Sequence, residues 1–288
     1  NLLNPVCDHI MKEILKTGYV QMDESTIKVI AGKKNKSHLG YMWVMNSPQR
    51  NMVYFEYHQG RGREGPKEMI KDYQGFLQTD GYEVYDNLAF DYPNIELFNC
   101  WAHARRYFEK ALTNDKARAE KVMLIIQQLY EIEKSWRDEK DKSPKSRREL
   151  RLKKSKPLLD VLKKYLDEQY PMVLPKSLIG KAFAYTLKRW KKLYTYIEDG
   201  RIEIDNNLIE NAIRPLALGR KNYLFAGNHE AAANIANFYT IFGTCKKQEV
   251  NPYDYLLWYL ERVNDTSILN MESLSPSSYK KLIDKKEM

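Results

Sequence analysis

The sequence predicts an α/β fold: a mixed sheet of about five strands flanked by helices, with a large all-helical insertion. Three observations predict it. Short segments rich in β-branched and aromatic residues, bounded by turn residues, occupy much of residues 19–100. A helical pattern separates the third of these segments from the fourth, which is the spacing a crossover needs. Apolar residues then recur at helical intervals through residues 114–200, before compact mixed sequence returns. A chain of 288 residues is long enough to bury such a core.

Taken in order, residues 1–18 are a helical lead-in, expected to continue from a missing N-terminal region. Residues 19–113 form the first part of the main domain. Tyr19 to Ile30 is a strand after the Thr17-Gly18 break. Tyr41 to Met45 and Met52 to Tyr57 follow, joined by the polar turn Asn46 to Asn51. Short connections make these an antiparallel meander. Gly65-Pro66 opens a helix with Met69, Ile70 and Tyr73 on one face, and Gly75 stops it. Phe76 to Thr79 is a fourth strand ending at Asp80-Gly81, able to pair in parallel with an earlier one. Ile95 to Cys100 is the fifth, with a helix from Trp101 to Leu112 behind it.

The insertion, residues 114–200, keeps helical spacing at Val122, Ile126, Leu129 and Ile132. The same holds at Leu158, Leu162, Tyr165 and Leu166, and at Phe183, Thr186, Trp190, Leu193 and Ile197. Lys140 to Lys145 is an exposed bend. Between Asn114 and Pro157, 14 Lys and Arg face 8 Asp and Glu, so most of the chain's excess positive charge lies here. Residues 201–263 form the second part of the main domain. Asp205 can cap a helix holding Asn207, Glu210 and Ile213, which Pro215 kinks or ends. An alanine-rich helix runs from Glu230 to Phe242, and Asn251-Pro252 starts another. Residues 264–288 are a Ser-rich, weakly periodic C-terminal tail.

Composition narrows the function classes. Hydrophobic residues at 43% and charged residues at 30% suit a folded, water-soluble protein. No apolar run is long enough to span a bilayer, and no signal segment opens the chain. Cys7, Cys100 and Cys245 are scattered, which argues against a disulfide framework or a Cys-x-x-Cys zinc site and for a reducing, cytoplasmic compartment. A net charge of +9 favours a polyanionic partner, though it also serves solubility.

Metal-assisted phosphodiester cleavage needs carboxylates that converge in space while lying far apart in sequence. Two divalent ions take hard oxygen ligands, and strand ends offer rigid places for them. Asp23 lies in the first strand and Asp80 ends the fourth, so adjacent parallel strands would set these carboxylates side by side. Glu210 can complete the set from the helix that follows the insertion. Among 38 acidic residues many such triples exist, so spacing does not single this one out.

Contiguous blocks do. They are Met22-Asp23-Glu24-Ser25, Thr79-Asp80-Gly81-Tyr82 through Tyr85, and Cys100-Trp101-Ala102-His103-Ala104-Arg105-Arg106. The longest runs from Asp205-Asn206-Asn207-Leu208-Ile209-Glu210 through Arg214-Pro215 and Gly219-Arg220-Lys221-Asn222 to Leu224-Phe225-Ala226-Gly227. Thr244-Cys245-Lys246 and Asn251-Pro252-Tyr253-Asp254-Tyr255-Leu256 close the set. Through these blocks, about Tyr19 to Val263, the chain resembles transposases of the insertion-sequence-66 family.

The resemblance implies a ribonuclease H-like fold and a DD-E triad that falls on Asp23, Asp80 and Glu210. It implies two Mg²⁺ ions, for which Mn²⁺ can substitute, and metal-dependent hydrolysis at the element's ends followed by transfer of the freed 3′-hydroxyls into target DNA. The partner would be double-stranded DNA, bound by a homo-oligomer, in a bacterial, nucleoid-associated setting. The family's upstream helix-turn-helix and zinc-binding segments are not among these residues. Asn228-His229 follows Gly227 where a serine-led turn is expected.

Arg105, Arg106, Arg214, Arg220 and Lys221 are candidate phosphate contacts. His103 and Asn207 are candidate supporting groups, though a satisfied histidine explains His103 equally well. Helix capping explains Asp205 as well as a role in metal or DNA contact. Glu24 should point away from Asp23's sheet face and be solvated or paired. Leu224 and Phe225 suit a buried strand. The basic insertion serves either DNA or plain solvation of its helices. Two rival functions are a same-fold nuclease that only cuts, and a non-catalytic DNA-binding or accessory protein derived from a transposase.

Overall fold

The computed structural model describes residues 1–30 and 36–286. Its sheet has five strands, β1 (Tyr19–Ile30), β2 (Ser37–Ser47), β3 (Met52–His58), β4 (Gly75–Thr79) and β5 (Ile95–Asn99), in the order β3-β2-β1-β4-β5. β1 and β2 pair antiparallel without interruption from Gln21↔Asn46 to Ile30↔Ser37, and β2 and β3 are likewise antiparallel. The expected meander is present. β4 neighbours β1, as the crossover reading requires.

The helices, in chain order, are α1 (Asn4–Leu15), α2 (Glu64–Ile70), α3 (Glu83–Asp91), α4 (Trp101–Ala111), α5 (Lys116–Arg137), α6 (Pro144–Leu150), α7 (Lys156–Gln169), α8 (Leu178–Lys188), α9 (Trp190–Tyr194), α10 (Asn207–Tyr223), α11 (His229–Lys247), α12 (Pro252–Leu260) and α13 (Pro276–Lys286). The chain divides into two compact units. One holds Asn1–Leu77, Val84–Glu96 and Leu208–Met288; the other holds Gln78–Glu83 and Leu97–Asn207.

In the first unit, Ile27 and Val29 of β1, Met42 and Val44 of β2, and Val53 and Phe55 of β3 pack with Ile209, Ile213 and Leu216 of α10 and Ala232 and Ala236 of α11. This is alternation at work: odd-numbered β1 residues share one sheet face. β3 is an edge strand, and an edge leaves main-chain donors and acceptors unpaired. Here α11 supplies the partners. Phe55 N–H donates to Thr240 Oγ1 (2.9 Å), Val53 N–H to Thr244 Oγ1 (3.2 Å), and Thr244 Oγ1 back to the Val53 carbonyl (3.0 Å). Gly243 permits that approach, since a Cβ there would lie 2.5 Å from Val53 Cγ1. Asn228 caps α11 by accepting the Ala231 N–H (2.6 Å), so it does the work expected of a serine.

The second unit is helical apart from the ends of β4 and β5. Phe108 of α4 meets Phe183 of α8, and Trp101 Nε1 donates to the Leu193 carbonyl (2.8 Å). α5 buries Val122, Ile126 and Leu129 as the periodicity predicts, then Glu133. That carboxylate accepts from Arg151 Nε (2.6 Å) and Arg147 Nη2 (2.6 Å), and all three side chains are almost wholly enclosed.

Several expectations are corrected. Pro215 does not end its helix: α10 continues to Tyr223, because Ile213 and Leu216 on either side are anchored in the core. Leu224 and Phe225 are not in a buried strand. They are 60% and 45% exposed, since Leu224 leaves the helix at φ +64° and turns both side chains outward. The small Ala226 instead bridges Val29. The weakly periodic stretch beyond Asn264 carries structure as far as Lys286: Met271 and Leu274 are buried, the Leu274 carbonyl accepts from Tyr255 Oη (2.8 Å), and α13 follows. α3 has no counterpart among the predicted elements.

Candidate active site

Asp23 lies within β1, opposite Val44 of β2. It therefore belongs to the sheet face that carries Ile27 and Val29 and that α10 covers. Glu210 sits in the first turn of α10, between the core-anchoring Ile209 and Ile213. The two carboxylates thus come from opposed elements of one packed layer in the first unit. Arg220 braces the same pair of elements, donating from Nη1 to the carbonyl and hydroxyl oxygens of Thr26. It was expected to contact phosphate, and its partners on β1 give it a structural task.

Glu24 faces the other way, as strand alternation predicts. Its side chain is 5% exposed, ion-paired with Arg61 and reached by Tyr85 Oη at 3.4 Å. It is paired rather than solvated. Arg214 and Lys221 are exposed on α10.

Asp80 belongs to the second unit and stands at the turn after β4. Its Oδ1 accepts the Tyr82 N–H (2.8 Å), while its main-chain carbonyl accepts from Tyr185 Oη (2.9 Å). Gly81, at φ +91°, gives its carbonyl to Arg189 Nη2 (2.8 Å). Tyr185 and Arg189 come from the insertion, about a hundred residues along the chain, and no local motif marks them.

The same unit contains a cleft of about 930 Å³ lined by Arg105 and Arg106 of α4, by Lys121, Leu124 and Tyr130 of α5, and by Asn207. Arg106 Nη1 donates to His103 Nε2 (2.9 Å), so a neutral imidazole there accepts through Nε2. Tyr130, which lines the cleft, hydrogen-bonds the buried Asp205. Burial holds the Asp205 carboxyl above its usual range, against the opposing pull of the Asn207 N–H and Tyr130. Asp205 Oδ1 accepts from Asn207 N (3.0 Å) and Oδ2 from Asn207 Nδ2 (2.8 Å), which is the capping reading.

With this geometry, residues 1–234 match the family described as Transposase IS66 family. The chain belongs to the IS66 transposase family. The chain is also similar to three proteins from Sinorhizobium fredii: uncharacterized proteins y4qI, y4jD and y4hP are 31%, 27% and 29% identical over 96%, 96% and 97% of this chain. The chain spans about half the length of these relatives, 54%, 57% and 54% respectively.

The sequence carries the expectation of a divalent metal held by carboxylates. Asp23, Asp80 and Glu210 carry carboxylate oxygens, the kind of hard donor that Mg²⁺ takes. Among the described residues no group of three or more His, Cys, Asp or Glu is drawn together tightly enough to hold an ion. The three cysteines are free and buried, and burial pushes the Cys100 and Cys245 thiols up to about 12, so they are poor ligands and poor nucleophiles. No helix among the described residues is long and apolar enough to cross a membrane.

Proposed function

We propose that this IS66-family chain is the catalytic core of a cut-and-paste DNA transposase, with Asp23, Asp80 and Glu210 as its DD-E triad. The observation that carries it is the pairing of β1 and α10 in one core. β1 carries Asp23 on the sheet face that also bears Ile27 and Val29, and α10, which packs on those residues, carries Glu210; Asp80 stands at the turn after β4.

Hydrolysis breaks the P–O3′ bond at each element end and leaves a 3′-hydroxyl and a 5′-phosphate. Transesterification then forms one P–O3′ bond to target DNA and releases one target 3′-oxygen, so bonds are conserved. Bound in this triad, two Mg²⁺ ions would polarise the scissile phosphate and favour deprotonation of the attacking oxygen. The carboxylates hold the ions; exposed Arg105, Arg106, Arg214 and Lys221 hold phosphate oxygens and fix the duplex. Double-stranded DNA is the substrate, and bringing two ends together calls for a homo-oligomer on DNA.

Asp80→Asn keeps the side chain's size while removing its charge. It should abolish Mg²⁺-dependent nicking of element-end DNA and leave salt-sensitive DNA binding largely intact. Nicking at the wild-type rate would refute the assignment. A strand-transfer assay with a pre-cleaved end distinguishes a joining enzyme from one that only cuts.

A further inference from the structure

The turn that carries Asp80 is not held by its own neighbours alone. Thr79 Oγ1 accepts the Gly81 N–H (3.4 Å) and Asp80 Oδ1 accepts the Tyr82 N–H (2.8 Å), so local bonds fix one carboxylate oxygen. Oδ2 meets no hydrogen-bond donor among the described residues. The main-chain carbonyls of Asp80 and Gly81 are taken by Tyr185 Oη (2.9 Å) and Arg189 Nη2 (2.8 Å).

Both donors are themselves locked. The Arg189 guanidinium lies over the Tyr185 ring, 4.2 Å from its centroid, and Tyr107 of α4 stacks on that ring's face at 4.3 Å and 21°. The fit to the turn is close. A Cβ on Gly81 would lie 2.7 Å from Arg189 Nε and 3.2 Å from Tyr185 Oη, in a backbone conformation that disfavours side chains anyway. Two consecutive carbonyls of one turn, each bound by a side chain from the same distant segment, is more constraint than a strand end needs. A carboxylate that must meet a cation with hard geometric demands does need it.

We propose that the helical insertion is a positioning clamp for Asp80, with Tyr185 and Arg189 as its two jaws. The clamp sets the direction of the unpaired carboxylate oxygen and so the affinity for divalent metal. The inference rests on the reading of Asp80 as a metal ligand, and it assigns the insertion a role other than DNA contact.

The test is a Mn²⁺ titration of the whole chain without DNA, followed by electron paramagnetic resonance of the free ion. The same variants are then assayed for nicking as a function of Mn²⁺. Tyr185→Phe keeps the ring stack and removes only the donor; Arg189→Ala removes the second jaw and Arg189→Lys retains a cationic donor. Tyr185→Phe and Arg189→Ala should each weaken Mn²⁺ binding by roughly three- to tenfold, the scale of one lost hydrogen bond. The Mn²⁺ needed for half-maximal nicking should rise equally, while the rate at saturating Mn²⁺ and the affinity for DNA stay near wild type. Arg189→Lys should recover much of the loss.

Mn²⁺ binding at the wild-type level in both Tyr185→Phe and Arg189→Ala would overturn the clamp. So would a loss of binding that tracks a lowered melting temperature. Asp80→Asn in the same titration separates the two ideas: if it binds Mn²⁺ as wild type does, the metal-ligand reading of Asp80 has failed, whatever the clamp variants do.

Discussion

Glu133 is the residue whose burial most needs explaining. Burial raises its carboxyl, and the hydrogen bonds and charges of Arg151 and then Arg147 outweigh this, so it ends below its ordinary value. Arg147 extends the network to Glu203 (2.7 Å), and Arg151 donates to the carbonyls of Tyr196 (2.7 Å) and Ile202 (2.8 Å). α5 is thereby tied to the segment that leads out of the insertion. Removing one partner of a buried ion pair strands the other charge, so Glu133→Gln should cost about 3–5 kcal/mol by urea unfolding at pH 7. The sign with pH follows from the depressed value. The contribution is present above the unfolded carboxyl's ordinary 4.5 and is lost as pH falls through the lower folded value. The gap between wild type and Glu133→Gln should therefore close in acid below that point. A gap that widens there would contradict the assigned charge state.

At the scale of elements, the contact between α11 and β3 is the most instructive. Thr240 and Thr244, one turn apart on α11, replace the strand neighbour that β3 lacks. Thr→Val keeps volume and shape while withdrawing the hydroxyl, so each of Thr240→Val and Thr244→Val should destabilise by about 1–3 kcal/mol. Amide exchange at Val53 and Phe55 should accelerate in step, and unchanged protection there would show that the edge is satisfied otherwise. None of this was legible in the sequence, because a threonine that serves another element's backbone carries no local signature. β1, β2 and β3 were legible, since β-branched runs between turn residues need only local chemistry. α3 escaped notice although Tyr85 and Leu88 keep helical spacing, for its short span was absorbed into the block around Asp80. Of the two outcomes expected at Pro215, a kink or an end, the end does not occur, because tertiary anchoring of α10 outweighs the single hydrogen bond a proline removes.

For the whole molecule the question is where a charge of +9 acts. Much of the insertion's positive charge is spoken for. Lys156 pairs with Asp160 (2.7 Å), Lys163 with Asp167, Lys121 lies over the Tyr165 ring (4.2 Å), and Arg147 and Arg151 are buried. The solvated-face reading accounts for the lysines but not for the two buried arginines, and the three proposed triad positions stand out in the sequence only through the contiguous blocks around them. The partners of the Asp80 turn, Tyr185 and Arg189, are brought there by folding and left no such trace. Arg105 and Arg106 are exposed and line the α4–α5 cleft, and Arg105 lies 3.6 Å from the half-exposed Glu109. If they grip the DNA backbone, each releases bound counterions, and the slope of log affinity against log salt falls by about 0.9 per contact removed. Arg105→Ala with Arg106→Ala should then lower that slope by about 2, measured by fluorescence anisotropy on element-end duplex from low to moderate salt. Lys156→Ala with Lys163→Ala removes equal net charge from an exposed helix face and should leave the slope almost unchanged. Equal losses from both pairs would mean that the chain attracts DNA through its overall charge, with no preferred path across α4.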